Sequence, residues 1–252
     1  MSRLPSFIVG GAPRSGTTYL AEMLSRHPSI YMARPFIPEP KVFMGPRQSL
    51  DAYRDRYAAL FAEAPDDARC GEKTSYYLEC TDACQLIKAV APEARLLFIV
   101  REPVARAYSN YLWSRKNGLE TLPFDEAVRL EGTRPNPLPP EKAYARPFDY
   151  LARGRYGELA EPFYQAFPAE QVRFFLYEDI VRRPEALASE IQEFLGVPEV
   201  SYELLRVGVV NSARETGPPL DRKLENELRE RMRSHVVHFA NVSGLDIGPW
   251  GY

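Results

Sequence analysis

The chain predicts an α/β fold of three layers, a central and mostly parallel sheet flanked by helices, and three observations point to it. Three short runs, Phe7 to Val9, Leu96 to Val100 and Val172 to Leu176, are rich in β-branched and aromatic residues, as buried parallel strands are. Each is followed by apolar residues at helical spacing, which gives βα alternation. Hydrophobic residues make up 45% of the 252, ample for the core of one domain over 1–252.

Taken in order, the first strand leads through a glycine-spaced turn to a helix marked by Leu20, Met23 and Leu24. The proline-rich stretch 27–46 has little periodicity and is expected to be a loop. After the second strand, Val104, Tyr108, Tyr111 and Leu112 mark another helix, with Pro103 suited to its first turn. A second proline-rich loop is expected over 133–147, and long loops of this kind often shape acceptor sites. Leu187, Ile191, Phe194 and Leu195 mark the helix after the third strand. Leu220, Leu224, Leu228, Met232 and Val236 recur every four residues and predict a final amphipathic helix before the tail that holds Trp250.

In open parallel sheets ligands bind beyond the carboxyl ends of the strands, and all three predicted strands hand over there to polar motifs. The first gives Gly11-Ala-Pro-Arg-Ser-Gly-Thr-Thr18. Two glycines enclosing four residues between a strand and a helix make a P-loop-like cradle, where unsatisfied helix N–H groups face an anion. Thr17 stands where a site for a magnesium-bound triphosphate carries lysine, and the nearest cation is Arg14. Its guanidinium fork suits two oxygens of a phosphate or sulfate.

The second strand gives Arg101, a cation emerging at the sheet edge where a magnesium-dependent kinase would carry an acid. Arg106, Ser109, Asn110 and Trp113 then share one helix face, so Ser109 can join Arg101 around a second phosphate. The third strand gives Tyr177-Glu-Asp179. A missing loop lysine and an arginine at the presumptive metal position both favour a donor handled without metal.

Pro13-Arg-Ser-Gly-Thr-Thr18, Arg101 with Ser109, and Tyr177-Glu-Asp179 together resemble the sulfotransferases that use 3′-phosphoadenosine 5′-phosphosulfate (PAPS), in their bacterial and heparan-sulfate-type branches. Gly154-Arg-Tyr156 and Phe194-Leu-Gly196 extend the likeness toward the C-terminal tail. The resemblance implies that Arg14, Ser15, Gly16, Thr17 and Thr18 bind the 5′-phosphosulfate, that Arg101 and Ser109 bind the 3′-phosphate, and that Tyr177 lies near adenine. Arg214, in Asn211-Ser-Ala-Arg214, is a further candidate for the 3′-phosphate. It also implies PAPS as co-substrate, 3′-phosphoadenosine 5′-phosphate (PAP) as product, no metal, and a small-molecule, lipid or carbohydrate acceptor. Arg14 replaces the lysine common in cytosolic members, and no histidine stands where those keep their base, which points to a carboxylate-dependent branch.

Sulfuryl transfer to a hydroxyl needs a base near the acceptor and cations around the departing phosphate. Glu39 lies in Pro38-Glu-Pro-Lys-Val-Phe43, similar to the segment that supplies the base in heparan-type members, and is the candidate base. Gly71-Glu-Lys-Thr-Ser-Tyr-Tyr77 resembles a second heparan-type segment, whose lysine approaches the sulfuryl group. That makes Lys73 the candidate for steadying the transition state, with Glu72 as alternative base and Lys41 as a weaker neighbouring cation. The bland alternatives are a solvated loop carboxylate for Glu39 and a surface ion pair for Glu72 with Lys73. His27, His235 and His238 read as structural or exposed.

A formal charge of −2, from 34 acidic and 32 basic residues, supplies no overall basic field for nucleic acid. Three cysteines without a histidine cluster suggest free thiols rather than a disulfide framework or a zinc site. With no signal peptide and no apolar run of spanning length, a soluble cytoplasmic enzyme is expected. Two other classes stay open: a P-loop kinase of a small metabolite, and a non-catalytic nucleotide-binding module.

Overall fold

The computed structural model describes residues 3–208 and 217–252. In chain order the elements are β1 (Phe7–Gly11), α1 (Thr17–Leu24), β2 (Ile30–Met32), α2 (Leu50–Leu60), β3 (Arg69–Lys73), α3 (Thr81–Val90), β4 (Arg95–Val100), α4 (Pro103–Lys116) and α5 (Phe124–Arg129). Then come α6 (Tyr156–Ala166), β5 (Val172–Leu176), α7 (Asp179–Arg182), α8 (Pro184–Leu195), α9 (Tyr202–Leu205) and α10 (Arg222–Ser243). The chain divides into two compact units, one of Met1–Val100 with Pro162–Val210, the other of Arg101–Glu161 with Asn211–Tyr252.

The first unit holds a five-stranded sheet of order β2-β3-β1-β4-β5, parallel at every pairing and flanked by helices. Phe7, Val9, Leu97, Ile99 and Phe175 bury one face against Leu20, Met23 and Leu24 of α1 and Leu187, Ile191, Phe194 and Leu195 of α8. On the other face Phe98 stacks with Phe174 and meets Phe163 of α6 edge-on, each at 4.8 Å between ring centroids. Full burial of such side chains contributes roughly 1.5–3 kcal/mol each.

The sequence predicts three of these five strands. β2 is three residues long and lies inside the proline-rich stretch 27–46, which is therefore not all loop. β3, Arg-Cys-Gly-Glu-Lys, lacks the apolar run that marks a buried strand, although its last four residues are buried. Its glycine has a steric cause: a Cβ on Gly71 would fall 2.1 Å from Cζ of Phe7, its partner across the β1–β3 ladder.

β1 sits where the strand order reverses, between β3 and β4, so the chain leaving it enters the crevice at the carboxyl edge. The β1–β4 register shifts between Val9 and Gly11, and the Ala12 amide still donates to Ile99 O at 2.7 Å. The Tyr177 amide likewise extends the β4–β5 ladder by donating to Val100 O at 2.7 Å. Both motifs thus leave the sheet from anchored backbone.

In the second unit, Pro103 occupies the first turn of α4, and the Glu102 carboxylate caps that helix by accepting from the Ala105 amide at 2.6 Å. α10 buries Leu228, Met232, Val236 and Phe239, while Leu220 precedes it. Phe239, Tyr156 and Trp250 form an aromatic cluster with centroids 5.5–6.1 Å apart. The stretch 133–147 is not all loop either, since Pro140–Ala145 forms a 3-10 helix. No helix among the described residues is long and apolar enough to cross a membrane.

Candidate active site

The loop from Gly11 to Gly16 ends on a left-handed Gly16, φ 90°, which caps α1 without any side-chain hydrogen bond. A Cβ there would lie 2.9 Å from both Ile180 Cδ1 and Tyr177 Cδ2, so glycine lets the Tyr177 ring lie directly against the loop. Arg14 also has a left-handed backbone, φ 69°. Ser15 is fully buried, and its Oγ has no hydrogen-bond partner among the described residues. An orphaned buried hydroxyl costs about 1–3 kcal/mol. An anion seated on the uncapped start of α1 would satisfy such a donor, so these residues fit a phosphate-bearing ligand.

Glu39 and Lys73 come together across 34 residues of sequence. Lys73 Nζ donates to Glu39 Oε1 at 2.8 Å, with the two side chains only 3% and 11% exposed, so neither is a solvated surface charge. Ser75 adds two bonds, from Oγ to Oε1 at 2.7 Å and from its amide to Oε2 at 3.2 Å. Lys73 Nζ also lies 3.4 Å from Thr18 Oγ1, which joins the ion pair to the first turn of α1. Oε1 therefore carries two short bonds and Oε2 one longer one. Among the described residues Oε2 is thus the less engaged of the two oxygens.

Glu72 points to the other side of β3, as strand alternation requires. It is fully buried, and it accepts from Tyr57 OH at 2.6 Å and Tyr77 OH at 3.0 Å on Oε1, and from Thr74 Oγ1 at 2.8 Å on Oε2. Burial pushes its carboxyl above the usual range, against the lowering effect of those hydroxyls. Burial also raises Tyr57 and Tyr77 well above theirs. The alternative of a surface ion pair between Glu72 and Lys73 does not hold, because the two leave the strand in opposite directions and bond other partners. Lys41 has a left-handed backbone, φ 48°, and its amide donates to Thr74 Oγ1 at 3.0 Å.

In the second unit, Arg101 directly precedes the cap of α4, and its carbonyl accepts from Tyr156 OH at 2.8 Å. Ser109 is buried on α4 with Arg106 and Asn110, the shared face expected from their spacing, and Trp113 is half-covered. Arg214 lies outside the described residues. The histidines are structural: His27 bonds Pro198 O through Nε2 and the Ser29 amide through Nδ1, while His235 and His238 pair with Glu158 and Glu161.

Sequence reasoning misses Ser75, Thr74 and Tyr57 as parts of this constellation. For Ser75 a signal existed, because once Gly71 to Tyr77 is known to leave a strand, its period of two puts Lys73 and Ser75 on one side. Tyr57 had none.

The sulfotransferase domain family matches residues 4–216. Human heparan sulfate glucosamine 3-O-sulfotransferase 3B1 is 24% identical over 266 residues, which cover 98% of this chain and 65% of that protein. The chain thus spans just under two thirds of the length of that curated relative. The crystal structure of a sulfotransferase from Alicyclobacillus acidocaldarius matches with a TM-score of 0.79 and 25% identity, covering 99% of this chain and 100% of that one. A mouse sulfotransferase solved in complex with PAP shares the fold, with a TM-score of 0.56 and 17% identity over 94% of this chain and 86% of its own.

Proposed function

The chain belongs to the sulfotransferase domain family, and from that premise we propose that, as a single domain over 1–252, it moves a sulfuryl group from PAPS to an acceptor hydroxyl. One observation carries the proposal: a nearly buried carboxylate, an ammonium and the phosphate loop meet through bonds of 2.8 and 3.4 Å. Base, transition-state cation and donor cradle are then neighbours.

Arg14, Ser15, Gly16, Thr17 and Thr18 hold the 5′-phosphosulfate, Tyr177 lines the adenine, and Arg101 and Ser109 take the 3′-phosphate. Arg214 is a further candidate for that phosphate. The acceptor oxygen attacks sulfur while Glu39 Oε2 takes its proton. The bond from sulfur to the bridging oxygen breaks, and its electron pair leaves on the phosphate of PAP. Lys73 and Arg14 stabilise that growing charge. A positioned base typically contributes about 10²–10⁴ in rate and one aimed charge donor about 10²–10³.

Glu39 is preferred to Glu72 because all the hydrogen-bonding hydroxyls around Glu72 are buried with it. No metal is required, since guanidinium and ammonium charge take its place. Among small-molecule, lipid and carbohydrate acceptors, a carbohydrate hydroxyl is favoured by the relative named for glucosamine 3-O-sulfation. Free thiols at Cys70, Cys80 and Cys84 fit a reducing, cytoplasmic setting.

Titrating PAP and ATP separately, each with and without magnesium, tests the donor. PAP is expected to bind equally well in chelator, and Glu39→Gln to keep PAP binding while transfer falls by about 10²–10⁴. Binding of ATP only with magnesium would mean a kinase instead. PAP binding with no transfer to lose in Glu39→Gln or Lys73→Ala would mean a non-catalytic module.

A further inference from the structure

We infer that Glu72 is a positioning residue: it orients the hydroxyls of Thr74 and Tyr77 so that they grip the backbone of the loop that presents the Glu39 carboxylate. The inference rests on Glu39 as the base of the proposed reaction. It assigns a role to a buried acid that this chemistry does not otherwise use.

A hydroxyl has one proton to give and two lone pairs to offer. Thr74 gives its proton to Glu72 Oε2 at 2.8 Å, and its oxygen accepts the Lys41 amide at 3.0 Å. Tyr77 gives its proton to Glu72 Oε1 at 3.0 Å, and its oxygen accepts the Phe43 amide at 3.2 Å. With the carboxylate claiming both protons, each hydroxyl is fixed as an acceptor toward the loop. Without it, either proton is free to rotate toward an amide and oppose it.

The two gripped amides lie two and four residues beyond Glu39, in backbone that does not hold its shape by itself. Lys41 has φ 48°, a conformation a non-glycine residue keeps only when its surroundings impose it. The other edge of the loop is held from α2, where Arg56 donates to Val42 O at 2.7 Å and to Pro40 O at 3.3 Å. Phe43 closes the end of the segment against the rings of Tyr53, Tyr57 and Tyr77 at 5.2, 5.5 and 5.7 Å. Tyr57, one residue after Arg56, gives its own proton to Glu72. The acid is thus the shared acceptor beneath a clamp whose output is the position of Glu39.

The test compares Glu72→Gln, the isosteric Thr74→Val and the conservative Thr74→Ser. Four quantities are measured: hydrogen exchange at the Lys41 and Phe43 amides, PAP affinity, kcat per folded molecule, and Tm. Thr74→Val is expected to speed Lys41 exchange and lower kcat, each by about tenfold, the weight of one buried hydrogen bond. PAP affinity should stay at the parent's value, and Thr74→Ser should restore both quantities. Glu72→Gln should speed exchange at both amides.

Unchanged exchange in Thr74→Val overturns the clamp, and so does faster exchange with an unchanged kcat, which would leave these residues a merely structural role. If Glu72→Gln loses as much rate as Glu39→Gln while Thr74→Val loses none, Glu72 is the base and the inference fails. If the parent transfers no sulfuryl group at all, the proposed function fails. The exchange data still decide whether the clamp exists.

Discussion

Replacing Lys73 with methionine separates what its charge does for the fold from what it does for the reaction. The Lys73 and Glu39 side chains are 3% and 11% exposed and bonded at 2.8 Å, so the substitution strands a nearly buried carboxylate. Removing one partner of a buried pair typically costs about 3–5 kcal/mol. Ser75 still offers Glu39 its hydroxyl at 2.7 Å and its amide at 3.2 Å, which places the cost at the lower end, about 3 kcal/mol. In a chain of this size each kcal/mol moves Tm by about 2–4 °C, so a fall of roughly 6–12 °C is expected. Adding Glu39→Gln removes the stranded charge, and the double variant should regain most of that loss. Transfer should not return, because the double variant lacks both the proposed base, worth about 10²–10⁴ in rate, and the ammonium, worth about 10²–10³ when aimed at the leaving phosphate. Calorimetric Tm and the rate of sulfate-ester formation read the two effects independently. A double variant as unstable as Lys73→Met would refute the ion-pair reasoning, and a Lys73→Met enzyme of parental rate would refute the catalytic role.

Two further outcomes follow from the geometry. Gly16→Ala places a Cβ 2.9 Å from Ile180 Cδ1 and Tyr177 Cδ2 on a backbone of φ 90°, so a loss of about 1–2 kcal/mol in PAP binding is expected. Calorimetric titration checks it, and parental affinity would show that the loop does not touch the nucleotide. In the second unit, burial tends to raise Glu120, but hydrogen bonds from the Arg134 fork at 2.6 and 2.9 Å and from Tyr150 outweigh it and hold the carboxyl near 2, from an ordinary 4.5. A lowered folded value adds stability that is fully present above about pH 4.5 and is lost as pH falls toward 2, roughly 3 kcal/mol in all. Acid unfolding of the parent should be steeper across that window than that of Glu120→Gln, and parallel curves would refute the assignment.

What could be read from the sequence was what local rules govern. β1 and β4 carry continuous apolar runs, and β5 shows Val172 and Phe174–Leu176 around a single exposed Arg173, so all three announce themselves. The glycine-spaced loop is legible for the same reason, since strand, turn and helix start are adjacent in sequence. β3 escaped because its carboxyl end is built from charged residues, so Glu72 and Lys73 take the places where an apolar pattern would have shown. The tie between Glu39 and Lys73 spans 34 residues, and no periodicity reports such a pairing. Resemblance to a family singled out both residues, but it did not say that they touch. Nor did it separate the two glutamates, which differ chiefly in the face of β3 that each one meets.

The register of β3 explains how a second cation, besides Arg14, comes to the glycine-spaced loop. Val9 stands opposite Lys73 in the β1–β3 ladder, two residues before Gly11 opens the loop. At that point the Thr74 amide still reaches Val9 O at 3.1 Å, so the strands remain paired as β1 ends. Lys73 is therefore delivered from the neighbouring strand to within 3.4 Å of Thr18 Oγ1. A slip of one residue would turn every side chain of β3 to the opposite face, sending Glu72 to the loop and burying the ammonium among Tyr57 and Tyr77. Phe7 over Gly71 opposes that slip, because neither Cys70 nor Glu72 could sit beneath the ring. The glycine that hides β3 from sequence patterns thus also sets the register on which the charge at the loop depends.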